Sequence, residues 1–261
     1  LSHRVIWSVV LLTLFLRITG RPLPWQRLCR EPRQLLLIVL AGPVMSVSWS
    51  MFTWCLIRGE VLTTSLAFFM TPLFNIVFAV VFLRERLTLQ KHLAVTLALA
   101  GLAYMLFQYG ELPWFSLAMG ANFAFYGLLK KKVRYAADHS LLLEALVQLP
   151  AALVFVGWLY MSETPALFFD GDNLARAMII GSALATLVPV GMFCYGMAQT
   201  RLSTVGLLQY IEPSLAFLLA VFWFGEQPDP IKAVGFMFVW AGLLVSLLPL
   251  HRLRRKHSLR A

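Results

Sequence analysis

Cysteine and charge are both scarce in this sequence. Only three of its 261 residues are cysteine (Cys29, Cys55 and Cys194), and only 13% are charged, against about a quarter in ordinary globular domains. The cysteines lack metal-ligand spacing and their odd number gives no disulfide framework, so we expect them to be small apolar packing residues. A soluble fold could not cover so much apolar surface with so little charge, which predicts a bilayer as the solvent.

Motifs that carry enzyme chemistry are also absent from the sequence. There is no HExxH, no GxSxG, no phosphate-binding glycine loop and no clustered acidic set for Mg²⁺. These absences predict that the chain is not an enzyme and has no metal or other cofactor. Transport driven by ATP would need a separate subunit.

Long apolar segments are what the sequence has in abundance, since 60% of its residues are hydrophobic. A helix needs about 20 apolar residues to cross a bilayer, and lipid offers no partner for an open backbone. The sequence therefore predicts an all-α polytopic membrane protein with nine visible transmembrane helices. The predicted segments are 4–19, 35–57, 61–83, 92–108, 112–129, 140–161, 175–199, 203–224 and 231–250.

Basic residues collect in alternate loops, and this pattern predicts the orientation. Of the 22 lysines and arginines, 18 fall on one side of the predicted membrane, which the positive-inside rule makes cytoplasmic. The net charge of +10 is thereby explained without a nucleic-acid partner. The basic tail 251–261 is expected in the cytoplasm and Leu1 outside. A chain that starts in the cytoplasm would then need one more helix before Leu1, giving a probable total of ten.

An internal repeat appears when the sequence is shifted by 141 residues. TTSLAFFMTPLFNIVFAVVFLRER from Thr63 aligns with TVGLLQYIEPSLAFLLAVFWFGEQ from Thr204, and residues 63–106 give 11 identities in 44 positions. Five helices separate the two copies, so they should run in opposite directions. We therefore predict two inverted five-helix repeats, 1–108 without its first helix and 112–250, an arrangement typical of secondary transporters with alternating access.

Several stretches resemble a known family. HRVIWS at 3–8, MTPLFNIV at 70–77, FAFYGLLKKK at 123–132 and LSTVGLLQYIEPSLAFLLAVFWFGE at 202–226 are similar to RarD-type permeases of the EamA group in the drug/metabolite transporter superfamily. The resemblance covers essentially the whole chain. It implies two inverted five-helix repeats, with the first helix missing here, in the bacterial inner membrane. It also implies export of a small hydrophobic or amphipathic metabolite or drug.

Glu212 is the strongest candidate site residue. It lies ten residues into an apolar segment, about 14 Å into a hydrocarbon core about 30 Å thick, where a carboxylate costs roughly 2.5 to 3.5 kcal/mol. We expect it to bind a proton or a substrate amine. The alternative is a neutral acid bonded to a carbonyl freed by Pro213. Pro213 and its repeat counterpart Pro72 are predicted helix kinks, for which simple helix shaping is the alternative.

Other in-membrane polar and aromatic residues form a weaker candidate set. The amides are more commonly contacts between helices, and aromatic residues more commonly face lipid. A glutamate near the start of its helix is also explained by the helix dipole. The remaining candidates for substrate or proton binding are Tyr210, Asn122, Tyr126, Asn75, Trp54 and Glu144.

The function predicted from the sequence is a secondary active transporter whose partners are a small-molecule substrate and the lipid bilayer. A homodimer is left open. One alternative is an intramembrane enzyme that acts on lipid-linked substrates, which would need a nucleophile and base or metal ligands at one depth. A passive channel is the other, and it would need rings of repeated polar residues.

Overall fold

The computed structural model describes residues 1–110, 113–162, 171–223, 225, 227 and 229–247. Regular secondary structure in these residues is entirely helical, which confirms an all-α fold. The helices are α1 (Ser2–Ile18), α2 (Trp25–Arg30), α3 (Pro32–Arg58), α4 (Val61–Leu83), α5 (Leu89–Tyr109), α6 (Trp114–Lys132), α7 (Ala137–Met161), α8 (Asn173–Gln199), α9 (Leu202–Gln209), α10 (Ile211–Phe222) and α11 (Pro230–Leu247). The predicted basic tail 251–261 lies outside the described residues.

Apolar length makes this a polytopic membrane protein. Six described segments are long and apolar enough to cross a bilayer: α3, most of α4, α5, α7, α8 and the stretch Leu202–Leu219 across α9 and α10. The apolar part of α11 is somewhat shorter. Each of the nine predicted segments is mostly helical where it is described, because charges, glycines and prolines bound the apolar runs. The prediction of one continuous helix over 203–224 was wrong, since that segment is interrupted at Tyr210.

Helix starts repeat with the spacing seen in the sequence. Helices α3 and α8 both have 27 residues and begin 141 residues apart, at Pro32 and Asn173. The starts of α4 and α9, and those of α5 and α11, differ by the same 141 residues. The periodicity detected over residues 63–106 therefore extends to a helix pair with little sequence identity.

The chain divides into two compact units, and each takes segments from both halves of the sequence. The first unit comprises Leu1–Trp54 and Phe125–Thr200. Within it α1 packs on α7 and α8, and Leu12, Leu16 and Leu142 belong to the apolar core of that contact.

The second unit comprises Cys55–Ala124 and the described residues from Arg201 onward. Here α11 packs along α5, and α9 packs on α4. Its core is rich in aromatic rings, among them Phe69, Tyr210 and Phe236.

Small residues bring α5 and α11 together in a symmetric way. A Cβ added at Gly101 would lie 3.0 Å from the carbonyl oxygen of Gly235, and one added at Gly242 would lie 2.9 Å from that of Ala94. The 141-residue offset exchanges these two contacts, as expected for elements related by a twofold axis. Going along α5 from Ala94 to Gly101, the contacted residue on α11 changes from Gly242 back to Gly235. The two helices therefore run antiparallel, the orientation expected of inverted copies.

A side chain from the loop after α4 caps the start of α9. Both carboxylate oxygens of Glu85 accept backbone hydrogen bonds, at 2.9 Å from the N–H of Leu202 and 3.1 Å from that of Ser203. Lys91 supports this cap by donating to the hydroxyls of Ser203 and Thr204 at 3.0 and 2.7 Å. Burial alone would raise the pKa of Glu85, but the donors on Ser203 and Leu202 and the charge of Lys91 hold it below its ordinary value.

Candidate functional site

A buried ion pair forms the centre of the polar group in the first unit. The Nζ of Lys130, near the end of α6, lies 2.6 Å from Oε1 of Glu144 on α7, and the two side chains are only 3% and 4% exposed. The Tyr126 hydroxyl donates to the other carboxylate oxygen at 3.2 Å and lies 3.8 Å from the sulfur of Cys194. Lys130 also donates to the hydroxyl of Ser140. The structure thus joins Tyr126 and Glu144, which the sequence proposed separately.

Glu144 occupies a different setting from the one expected. The sequence suggested a helix-dipole role near the start of a helix beginning at 140, but α7 begins at Ala137 and Glu144 is its eighth residue. The charge of Lys130 and the hydroxyl of Tyr126 therefore replace the dipole as its stabilising partners. Gln148, one turn later, donates to the backbone carbonyl of Glu144 at 3.1 Å and accepts from the hydroxyl of Ser46 on α3.

Sequence reasoning missed Lys130 as a site residue. It belongs to a run of three lysines, and such a run at a helix end ordinarily indicates a solvated cytoplasmic face. The available signal was the spacing, since Lys130 lies four residues after Tyr126 and therefore on the same face of α6.

Within this unit the candidate Trp54 lies near the end of α3, where its side chain is 41% exposed.

An interrupted helix is the main feature of the second unit. Helix α9 ends at Gln209 and α10 begins at Ile211, with Tyr210 at the break. Pro213 has no N–H, so it cannot bond to the carbonyl of Gln209 in the way a helix continues. The counterpart α4 runs unbroken through Pro72, and there the hydroxyl of Thr71 donates to the carbonyl of Ala67 at 2.9 Å. The two proline positions therefore share a sequence register without sharing a local structure.

Two predicted site residues meet at this break. Asn75, on α4, is 1% exposed and its side-chain amide donates to the side-chain carbonyl of Gln209. Tyr210 is also 1% exposed, and its ring lies edge-on to Phe69 with the centroids 6.3 Å apart. The hydroxyl of Tyr210 and the side-chain oxygen of Asn75 are buried without a hydrogen-bond partner among the described residues. Such atoms each cost about 1–3 kcal/mol, so a ligand that bonds to them is favoured.

Glu212 and Asn122 complete the set predicted for this unit. Glu212 lies in the first turn of α10 with an exposed side chain, and the described residues provide it with no hydrogen bond or ion pair. Asn122 is half-buried on α6. The buried carboxylate in the described part of the chain is Glu144 rather than Glu212. No group of histidine, cysteine, aspartate or glutamate within the described ranges could hold a metal ion.

Comparison with known proteins agrees with this architecture. The EamA-like transporter family matches residues 1–107 and 112–248. The chain is 34% identical over 256 residues to Protein RarD of Salmonella typhimurium, covering 98% of this chain and 87% of that one. It is 31% identical over 273 residues to the Chloramphenicol-sensitive protein RarD of Pseudomonas aeruginosa, covering 99% and 87%. A solved crystal structure with 17% identity shares the fold, with a TM-score of 0.54 over 97% of this chain and 96% of that one.

Proposed function

Because the chain belongs to the EamA-like transporter family, we propose that it is a secondary active transporter of the bacterial inner membrane. It exports a small hydrophobic or amphipathic metabolite or drug by alternating access. Its repeats are 1–108 and 112–250, and its C-terminus is cytoplasmic. A reporter that is active only in the periplasm, fused after Ala261, would contradict this orientation if it were active.

The observation that carries this proposal is the break between α9 and α10. Interrupted helices in secondary transporters form substrate sites, because their free backbone and side-chain groups can bind a solute. Here the break presents the Tyr210 hydroxyl and the Asn75 oxygen without partners, beside the rings of Phe69 and Phe236. Apolar walls with a few unpaired polar atoms suit a small amphipathic solute.

The candidate residues have separate roles in this proposal. Tyr210 and Asn75 bond to the solute, Asn122 adds a polar contact, and Pro72 and Pro213 shape the two helices. Trp54 belongs to the first unit, and its role in substrate binding stays a prediction. Glu212 binds the coupling proton or an amine, since its exposed carboxylate has no protein partner among the described residues. Tyr126 and Glu144 act through the ion pair with Lys130, which has to rearrange if Glu144 is to exchange a proton.

Transport in inside-out membrane vesicles tests the function. Chloramphenicol is the first probe, because one relative is named chloramphenicol-sensitive. We expect vesicles that contain the chain to accumulate the probe above empty vesicles when a proton gradient is imposed, and to release it when a protonophore is added. Equilibration without accumulation would indicate a channel. Chemical conversion of a lipid-linked substrate without any gradient-driven movement, across a panel of amphipathic probes, would indicate an enzyme.

A variant of the exposed acid tests the coupling role. Glu212→Gln should insert normally but lose the pH dependence of uptake, since it keeps the size of the side chain and removes its titratable proton. Glu60→Gln is the matched control, because it neutralises an exposed loop acid before α4. Unchanged transport and pH dependence in Glu212→Gln would remove Glu212 from the coupling role while leaving the transporter proposal intact.

A further inference from the structure

The first unit contains an open groove that the transport site does not use. It has a volume of about 970 Å³ and is lined by α1, the end of α6, the loop that follows it, the start of α7 and the second half of α8. Its lining changes character along its length. One end is basic and the rest is apolar.

The basic end is formed by Arg21, Lys130, Lys131 and Arg134, while Asp138 is the one acid in the lining. The Nζ of Lys131 donates to two carbonyl oxygens at the end of α8, at 2.9 Å from Met197 and 2.8 Å from Thr200, which fixes this charge at the rim. Lys130 forms an ion pair with Glu144, so its charge adds nothing to the net positive charge at this end of the groove.

The two arginines at this end remain available to a ligand. The Arg21 guanidinium lies 3.7 Å from the Asp138 carboxylate, beyond hydrogen-bonding distance, and its side chain is 65% exposed. Arg134 is exposed, and its backbone N–H donates to the side chain of Gln34. Arg21, Lys131 and Arg134 against Asp138 leave an excess of positive charge at one end of the groove.

The apolar wall continues away from these charges. On α8 it consists of Leu184, Val188 and Met192, whose side chains are 54%, 53% and 70% exposed, and on α1 it includes Phe15 at 48%. From Leu184 to Gly196, near the basic end, α8 rises about 18 Å at 1.5 Å per residue. This length is close to one leaflet of the hydrocarbon core, about 15 Å.

We infer that this groove binds an anionic phospholipid, with its phosphate at Arg21, Lys131 and Arg134 and an acyl chain along α1 and α8. A free phosphate ion would leave the apolar wall unused. A zwitterionic lipid would not compensate the excess charge. The basic residues belong to the set that the positive-inside rule places in the cytoplasm, so the lipid comes from the cytoplasmic leaflet. This inference does not depend on the transported solute.

The test uses the purified full chain in detergent after lipid has been removed. Phosphatidylglycerol and phosphatidylcholine with the same acyl chains are titrated separately, inorganic phosphate is titrated alone, and thermal unfolding is followed. A ligand of the folded state raises the unfolding temperature. We expect saturable stabilisation by phosphatidylglycerol only. Equal stabilisation by phosphatidylcholine, or full reproduction by inorganic phosphate, would overturn the inference.

Charge variants locate the headgroup. Arg21→Gln combined with Arg134→Gln should weaken the apparent affinity for phosphatidylglycerol about 30-fold, since each cation near a lipid surface contributes about one factor of five. The matched control is Arg86→Gln combined with Arg201→Gln, which removes two exposed cations of the same predicted membrane side outside the groove. Equal loss in both double variants would contradict a defined site.

A steric variant locates the acyl chain and does not depend on charge. A Cβ at Gly196, in the groove lining, meets no atom within 4 Å, so Gly196→Phe starts its side chain in open space and adds bulk to the groove. Gly181→Phe is the control, because this position is equally open on the same helix but outside the lining. We expect only Gly196→Phe to reduce stabilisation by phosphatidylglycerol. Unchanged stabilisation in Gly196→Phe would overturn the inference.

Discussion

The ammonium group of Lys130 lies 2.6 Å from a carboxylate oxygen of Glu144, and more than nine-tenths of each side chain is buried. The pair connects α6 to α7, and Tyr126 extends the contact to Cys194 on α8. Removing two charges from water is costly, and the mutual attraction offsets that cost only while both partners and their hydrogen bonds are present. The pair therefore adds a polar connection to the apolar contacts between these three helices, and it stabilises them only while both charges are present.

Lys130→Met should destabilise the folded protein strongly. The substitution leaves the Glu144 carboxylate buried without its counter-charge, and breaking such a pair costs about 3–5 kcal/mol. Chemical denaturation in detergent measures the change. The double variant Lys130→Met/Glu144→Leu should recover most of the loss, because neither charge remains. A single variant as stable as the wild type would show that the pair does not form in the folded protein.

Tyr210→Phe should reduce transport without reducing stability. The Tyr210 hydroxyl has no partner among the described residues, so its removal deletes no observed hydrogen bond within the protein. Tyr126→Phe is the opposite control, because that hydroxyl bonds to the Glu144 carboxylate and its loss should cost about 1.5–3 kcal/mol. Unfolding temperature and vesicle uptake are compared for both. A Tyr210→Phe variant that loses stability and keeps full transport would contradict the proposed substrate contact.

Helix positions were predictable from the sequence because they depend on local apolar length. The prediction of 61–83 matches α4, and that of 35–57 lies inside α3, Pro32–Arg58. The alignment of Pro72 with Pro213 at the 141-residue offset was also predictable from the sequence. That only the helix of Pro213 breaks was not predictable, because the local features are alike. Each proline removes one N–H, and beside each a hydroxyl, Thr71 or Ser214, donates to the carbonyl one turn back.

Burial of individual charges could not be predicted in the same way. Apolar flanks place Glu212 deep in its segment, but the rotation of α10 decides what the side chain faces, and it is exposed. Lys130 has a typical surface sequence context, yet it is buried because α7 presents Glu144 to it. Such pairings arise between residues distant along the chain, where a single sequence carries little signal.

Gly206→Ala should loosen the contact of α9 with α4. An added Cβ would lie 2.8 Å from the backbone oxygen of Pro72 and 2.9 Å from a side-chain carbon of Ile76, so the backbones have to separate. Overpacking of this kind costs about 1–3 kcal/mol. Gly181→Ala, at an open helical position, should instead be neutral or stabilise by up to about 1 kcal/mol. Denaturant midpoints distinguish the two, and equal effects would contradict the close approach.

Glu85 should make stability depend on pH in the acid range. Its pKa is lowered in the folded protein by the cap on α9, so its contribution is complete above its ordinary value of 4.5 and is lost as the pH falls through the lower folded value. Glu85→Gln should cost about 0.5–2 kcal/mol, the usual range for a lost helix cap, at a pH of about 6. The difference from wild type should shrink as the pH falls from about 6 through the lowered folded pKa and the carboxylate becomes protonated.

Thermal unfolding of both proteins across this range measures the difference. Glu60→Gln serves as the control for the removal of one carboxylate, because Glu60 accepts from the hydroxyl of Thr63 at 2.7 Å but does not cap α9. Taking differences between proteins at each pH removes the general acid destabilisation, which acts on every variant. If the Glu85→Gln difference were the same at both ends of the range, the carboxylate charge would not be what stabilises the start of α9, and the contribution of Glu85 would come from packing or from neutral hydrogen bonds alone.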